Sequence, residues 1–550
     1  MVVTTIDRGS SRSAPQPAPV AAPPAAASKP LTYSAACVGI SLLLGIMQGL
    51  GVNMVSANLP YIQGSLGSDQ IEASWLVTVY MMTNVAMAPL LIKFRNQYGL
   101  RLFADLALSL FIVVTAAHLL TNDLRTALAM RAALGIAAAP LTSLALLYMI
   151  EAFPPSRLTM ALPLGLTATQ ISIPLARIFP IDLLQIDQWH GIYLVELGLG
   201  LMALASVNLL RLPPRPMFPS FDRLDVIVFP LFAGGMAMLC AVLSQGSTLW
   251  WTERAWLGWC LAGAIACLFT AAIIELRRSR PMLDYRWLTS TYMLRFFSSI
   301  LLFRIVLSEQ TSGAVGLLTT LGMYNEQEHL LFGFVLLATI AGSLTVMWFM
   351  THDRLRYVLI FALLLIIVAA LSDAGSTNLV RPMNFYLTQT AIGYASALFL
   401  PAAMFFGITQ AFARGPAYLV SFSAIFSIGN NVGGLAGSAL VRSFVTWREK
   451  FHSNHLVGDM NLGDPEVAQR VHQLSGAFAP SVSDTTLRSA EGAAQLSAQA
   501  SRESYVLAYN DAFILIACIA AVVLIWFTYL TFRAHRDSTR NAPMPGTARS

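Results

Sequence analysis

The sequence predicts an all-α polytopic membrane protein with fourteen spanning helices, and three observations carry that reading. Of its 550 residues, 56% are hydrophobic and only 11% are charged, whereas soluble domains carry about 25% charged residues. Apolar runs of roughly the 20 residues needed to cross a bilayer recur along nearly the whole chain. Lys and Arg gather in alternate connections between those runs. A soluble fold is excluded because its surface needs far more charge. A β-barrel is excluded because alternating ten-residue segments are absent.

The spans are read at 35–57, 73–92, 102–121, 126–150, 158–180, 190–211, 224–244, 256–276, 294–322, 330–351, 355–373, 384–408, 417–442 and 509–532. In hydrocarbon each backbone N–H and C=O must be bonded within its own segment, so each span is a helix. Residues 1–32, rich in Pro, Ala and Ser, read as a disordered tail. No short apolar region with its own cleavage site precedes the first span. The five cysteines, Cys37, Cys240, Cys260, Cys267 and Cys518, all fall in apolar segments without metal or redox spacing, and read as small buried residues.

With the N-terminus cytoplasmic, the short inner connections hold Lys93, Arg95, Arg101, Arg157, Arg211, Arg215, Arg223, Arg277, Arg278, Arg280, Arg286, Arg354, Arg356 and Arg414. The short outer ones hold only Arg125, Arg254 and Arg381. This is a strong positive-inside bias, and it places both termini in the cytoplasm of a cell whose plasma (inner) membrane holds the chain. The net charge of +6 therefore reflects orientation in a membrane and not a nucleic-acid face. One connection stands apart. Residues 443–508 are polar and lie outside, and part of this long loop is expected to form amphipathic helix; it reads either as a cap over the outer mouth or as a docking surface for a periplasmic partner.

The second span and its flanks run "ANLPYIQGSLGSDQIEASWLVTVYMMTNVAMAPLLIKFRNQYGLRLF". Leu59, Pro60, Ile62, Leu66 and Gly67, then Trp75, Tyr80 and Pro89–Leu90, together with "WHGIYLVELGLG" at the sixth span and the long outer loop before the last, resemble the major facilitator superfamily. The likeness is to its fourteen-helix drug:proton antiporter branch, the EmrB/QacA type, and covers roughly residues 35–535. It implies a major facilitator fold with a six-helix bundle in 33–212, inserted helices 7–8 in 213–288, a second six-helix bundle in 289–535 and a cytoplasmic tail in 536–550. Substrate would bind between the bundles near the midplane, with alternating access by rocking. In a two-membrane organism the resemblance also implies a periplasmic adaptor and an outer-membrane channel.

The chain departs from that pattern at telling places. Gly51 stands where proton-coupled relatives usually have Asp, and Asn96 and Gln97 stand at the usual Asp and Arg of the loop between spans 2 and 3, where only Gly99 and Arg101 hold. The resemblance gives that loop a latching role, weakened here. Arg177 replaces an expected Gly in "SIPLARIF", and Asn430 replaces an Arg. Arg131, in "RAALG", matches an Arg that the resemblance assigns to proton transfer, with Leu134 in place of Gln; a structural ion pair is the alternative role.

The charges within spans are the candidate site. A charge at mid-membrane costs at least about 2.5–3.5 kcal/mol unless it is paired or hydrated. Arg131, Arg177 and Glu196 share the outer half of one bundle, so Glu196 is expected to face Arg131 or Arg177. Arg304 and Glu309 lie about 140° apart around a helix, so they do not pair, and Arg304 sits about 15 Å from the cytoplasmic end. At least one of them is expected to face the cavity. Glu309 and Glu196, with Arg131, are the proton-coupling candidates, because a carboxyl group sealed between helices can bind and release a proton as its surroundings change. Arg304 is alternatively a ligand for an anionic substrate. Gln170, Asn53, Asn84, Asn430 and Asn431 are polar positions at membrane depth and candidate cavity liners, with Arg304 and Arg177. Gly429, Gly433 and Gly437 repeat every four residues as a packing stripe.

There is no phosphate-binding loop, metal-ligand cluster or nucleophile elbow, so neither an enzyme nor a bound cofactor is expected. The expected function is secondary transport, with export of small amphipathic or hydrophobic compounds in exchange for protons. Uncoupled facilitation or import, and a non-transporting membrane scaffold that recruits a periplasmic partner, stay open.

Overall fold

The structure, a computed structural model, describes residues 30–154, 158–179, 189–214, 217–278, 281–349, 352–414, 416–460 and 463–540. The expected disordered tail up to residue 29, the end of the C-terminal tail from 541, and Arg157, Arg215 and Arg280 of the basic connections lie outside the described residues.

Thirteen helices among the described residues are long and apolar enough to cross a membrane, and a further long helix, Leu158–Ile178, holds the fifth place. Numbering the spans alone, the first six are α1 Leu31–Ala57, α2 Gln70–Tyr98, α3 Leu100–His118, α4 Leu124–Ala152, α5 Leu158–Ile178 and α6 Gly191–Leu209. Two inserted helices follow, α7 Asp225–Leu249 and α8 Ala255–Arg277. The last six are α9 Thr291–Thr320, α10 Asn325–Trp348, α11 His352–Asp373, α12 Tyr386–Arg414, α13 Pro416–Asp459 and α14 Thr485–Arg540.

Local chemistry sets several boundaries. Asp69 and Glu72 form a reciprocal capping box that starts α2, and Asp123 caps α4 by accepting from the Arg125 and Thr126 amides. Gly99 turns α2 into α3 in a single residue with φ of 85°, which a side chain rarely tolerates. Two apolar cores result. One joins α1–α6, with Tyr80, Phe111, Tyr148 and Tyr193 at its centre; the other joins α9–α14 around Phe303, Phe399 and Ile516. The bundles meet through α5 against α10 and α12, and α2 against α13. In α8 only 17% of the spanning window is buried, and Trp259, Ile265 and Phe269 project outward, as a lipid-facing helix requires.

The inserted pair is fastened to the first bundle at both ends of α7. Gln245 Nε2 donates to Ser74 Oγ and Thr78 Oγ1, both at 3.0 Å, and Thr78 meets Ser244 at 2.6 Å. At the other end Lys93 Nζ pairs with Asp225 at 2.7 Å, and Arg278 pairs with Asp225 at 2.8 Å.

Two expectations need correction. The span read as one regular helix over 294–322 is broken: an α-helix over Thr291–Val306 leads into a π-turn over Glu309–Ala314 before α-helix resumes at Val315–Thr320. The connection 443–508, read as a loop with some helix, is mostly helical. α13 continues to Asp459, a helix Pro465–Gly476 packs on α14, and α14 begins at Thr485. Its Ala- and Gln-rich sequence favours helix, and Asp511 joins the two long helices by bonds of 2.6 Å to both Arg448 and His452.

Candidate functional site: a cavity between the bundles

Side chains of α1, α2, α5, α7, α9, α10, α12 and α13 enclose a cavity of about 290 Å³. All seven polar or charged cavity candidates line it: Asn53, Asn84, Gln170, Arg177, Arg304, Asn430 and Asn431. Arg442, not singled out from the sequence, joins them. Two of the amides are held in the wall, since Asn53 Nδ2 donates to Ser172 Oγ at 3.1 Å and Asn84 Nδ2 donates to the Gly135 carbonyl at 3.1 Å.

Arg304 reaches across to α13, where its Nε donates to the Asn430 carbonyl at 3.1 Å. The glycines of α13 make this possible. A Cβ at Gly433 would stand 2.8 Å from Arg304 Cβ, and one at Gly434 would stand 2.7 Å from Nη2. Gly429 and Gly437 likewise bring α13 against Phe297 and against the Ile305 backbone. Gly429, Gly433 and Gly437 thus form the face that lies on α9, while Gly434, which the sequence did not mark, leaves room for the guanidinium.

Arg177 does not meet Glu196. Its Nη1 donates to Glu328 Oε2 at 3.1 Å and to Asn325 Oδ1 at 3.0 Å, both on α10. Asn325 Nδ2 in turn donates to the Ala57 carbonyl at 2.8 Å and to Asn58 Oδ1 at 3.0 Å. This network bridges α1, α5 and α10 at the ends remote from the basic connections, and Phe332 lies under the Arg177 guanidinium at 5.0 Å. Asn325 and Glu328 were missed because "NEQEH" precedes the strongly apolar stretch and reads as loop; its acidic residues at a helix start were the available signal.

Glu309 and Glu196 do not line the cavity. Glu309 is fully buried behind the wall formed by Gln310 and Thr311. Gln389 Nε2 donates to both its carboxyl oxygens, at 3.0 and 3.2 Å, and to Asp373 Oδ2 at 3.0 Å. One amide nitrogen, Gln389 Nε2, thus bridges the Glu309 and Asp373 carboxyls. Asp373 was hidden from the sequence reading by its position at the last residue of a span.

In the first bundle Arg131 is fully buried, but it donates to the backbone carbonyls of Gly51 at 2.8 Å and Leu76 at 3.2 Å rather than to Glu196. Its guanidinium lies 4.5 Å from the centre of the Tyr80 ring. Both Glu196 oxygens, both His118 ring nitrogens and the Tyr80 hydroxyl are buried without a partner among the described residues. The expected Glu196 ion pair is therefore absent. Tyr80 fills the space beside Gly51, where a Cβ would stand 2.8 Å from its hydroxyl, and Arg131 is committed to the Gly51 and Leu76 carbonyls.

At the basic end the last turn of α2, which the sequence reads as loop, binds the linker to α7. Gln97 Oε1 accepts from the Ser220 and Phe221 amides at 3.2 and 2.9 Å, and the Asn96 carbonyl accepts from the Phe218 amide at 3.1 Å. Gly99 packs against Met217, and Arg101 is exposed.

Comparison with known proteins agrees with this architecture. The family profile of the Major Facilitator Superfamily matches residues 41–324. The multidrug export protein EmrB of Escherichia coli K12 is 22% identical over 514 residues, covering 90% of this chain and 94% of EmrB. The probable multidrug resistance protein EmrY of the same strain is 25% identical over 250 residues, covering 45% of this chain and 48% of EmrY. Among solved structures, a POT family transporter in complex with a thioalcohol-conjugated peptide superposes with a TM-score of 0.56 at 12% identity, covering 89% of this chain and 96% of that one. A bacterial homologue of the human drug peptide transporters PepT1 and PepT2 gives 0.54 at 12% identity, over 92% and 99% of the two chains. With its two six-helix bundles, its inserted pair and a matching profile over more than half its length, the chain belongs to the Major Facilitator Superfamily.

Proposed function

We propose that this secondary transporter exports small amphipathic or hydrophobic compounds in exchange for protons, by alternating access. One observation carries the reading: a polar cavity lies between the two bundles, and a carboxyl pair, Glu309 with Asp373, is buried directly behind its wall. Substrate occupies the cavity; the carboxyl pair, and Glu196 beside Arg131, exchange the coupling proton. The Arg177–Glu328 pair breaks and reforms as the bundles rock. The similarity to multidrug export proteins supports export, and the gathering of Lys and Arg in alternate connections supports a plasma-membrane location with both termini cytoplasmic. The helices beyond the membrane, within 443–508, are the proposed seat for a periplasmic adaptor leading to an outer-membrane channel.

Energised inverted vesicles test this directly. Substrate accumulation that an uncoupler collapses is the expected result. Flux indifferent to the proton gradient would point to a facilitator instead, and absence of flux to a non-transporting scaffold.

A further inference from the structure

The lining of the central cavity is electrically one-sided. Among the described residues it contains Arg177, Arg304 and Arg442 and no Asp, Glu, Lys or His. Arg177 is neutralised by Glu328. Arg304 has no ion-pair partner among the described residues, where its hydrogen bond goes to a backbone carbonyl. The nearest acid along its own helix, Glu309, is turned away and held by Gln389. A guanidinium at mid-membrane without a counter-charge is costly, and here the α13 backbone is cleared by Gly434 to receive it. Arginine's planar donor fork suits bidentate capture of an oxyanion. Beside it Asn430 lines the same cavity, and its backbone carbonyl accepts from Arg304. Val52, Val77 and Leu307 supply apolar wall in the same cavity.

We infer that the cavity binds organic anions: a carboxylate, sulfonate or phosphate group meets Arg304, and a compact apolar body lies against the neighbouring aliphatic wall. This rests on the transporter reading above and names the substrate class of that site. A volume near 290 Å³ sits at the lower limit of small-molecule pockets, so the body is of one or two rings. The missing counter-charge is then delivered by the substrate, and the empty cavity carries an excess positive charge that disfavours cationic drugs.

The test uses the full-length protein in nanodiscs and three isosteric probes: 2-naphthoate, neutral 2-naphthamide and cationic 2-naphthylmethylammonium. 2-Naphthoate is expected to bind at least about ten-fold more tightly than the amide, and the ammonium compound most weakly. Arg304→Gln should erase the preference for the anion over the amide, and Arg304→Lys should retain part of it. Equal binding of the three probes by the native protein, preference for the ammonium compound, or no naphthoate binding at millimolar concentration overturns the inference without recourse to any variant. Proteoliposomes separate the two levels. Gradient-driven movement of the neutral or cationic probe in preference to the anion sinks the substrate class and leaves the exporter standing. Anion binding with no gradient-driven flux of any probe sinks the exporter and leaves the anion site.

Discussion

Arg177 Nη1 and Glu328 Oε2 lie 3.1 Å apart, one on each bundle, with Glu328 almost wholly buried and Arg177 largely so. Severing a pair of this kind leaves an uncompensated buried charge, worth about 3 kcal/mol against the state that contains it. Arg177→Gln and Glu328→Gln are each expected to favour the conformation open at the end that carries residues 443–508. A cysteine installed at the cavity residue Ser56 should then react faster with an impermeant maleimide applied from that side. The exchanged pair, Arg177→Glu with Glu328→Arg, should bring labelling back toward the native rate. Unchanged labelling in both single variants would show that the pair does not hold this end shut.

The Glu309–Gln389–Asp373 cluster predicts a split between two kinds of transport. Glu309→Gln cannot release a proton, so gradient-driven flux is expected to fall by about a hundred-fold, within the range seen when a proton-transferring group is removed. Substrate exchange at equal pH on both sides, which moves no net proton, should persist within a few-fold. Equal loss of both activities would mark Glu309 as a structural residue only.

Gly51 and Tyr80 predict a double-mutant cycle. A methyl group at position 51 meets the Tyr80 hydroxyl at 2.8 Å, so Gly51→Ala should cost about 1–2 kcal/mol. Tyr80→Phe removes that hydroxyl and should relieve most of the loss, giving a coupling energy of about 1 kcal/mol between neighbours. Thermal unfolding in detergent measures it; additive losses would mean that the helices separate instead of the ring yielding.

Exchange of a monoanion leaving for one proton arriving moves two charges across the membrane. Each charge is worth about 2.3 kcal/mol per 100 mV. Efflux of 2-naphthoate should therefore respond steeply to a valinomycin-clamped potassium potential at fixed pH, and efflux of a neutral compound about half as steeply. Identical voltage dependence for the two would contradict anion–proton exchange.

Hydropathy made the spans legible because each must satisfy its own backbone in hydrocarbon, and the polar residues that interrupt them stood out for the same reason. Asn53, Asn84, Gln170, Arg177, Arg304, Asn430 and Asn431 were selected only as misfits at membrane depth, and all of them line one cavity. Partnership was much less legible. Arg177 meets Glu328, 151 positions away, and Glu309 meets Gln389, 80 positions away; no helical spacing encodes such pairings. The π-turn in α9 contains no proline, and its Ser312–Gly313 pair is too weak a breaker inside an apolar span to announce it. The long extensions of α13 and α14 were obscured because their polar residues follow helical rather than apolar rules, and stop resembling a span while the helix runs on.

The clips along α7 decide where this molecule can part. Ser74, Thr78 and Lys93 bind the inserted pair to α2 at both extremities, so α7 and α8 ride as outriggers on the first bundle. On that flank the pair also touches the second bundle, where Trp251 Nε1, in the turn after α7, donates to Ser443 Oγ of α13 at 2.8 Å. If the bundles rock as proposed, this contact is among those the outriggers must surrender.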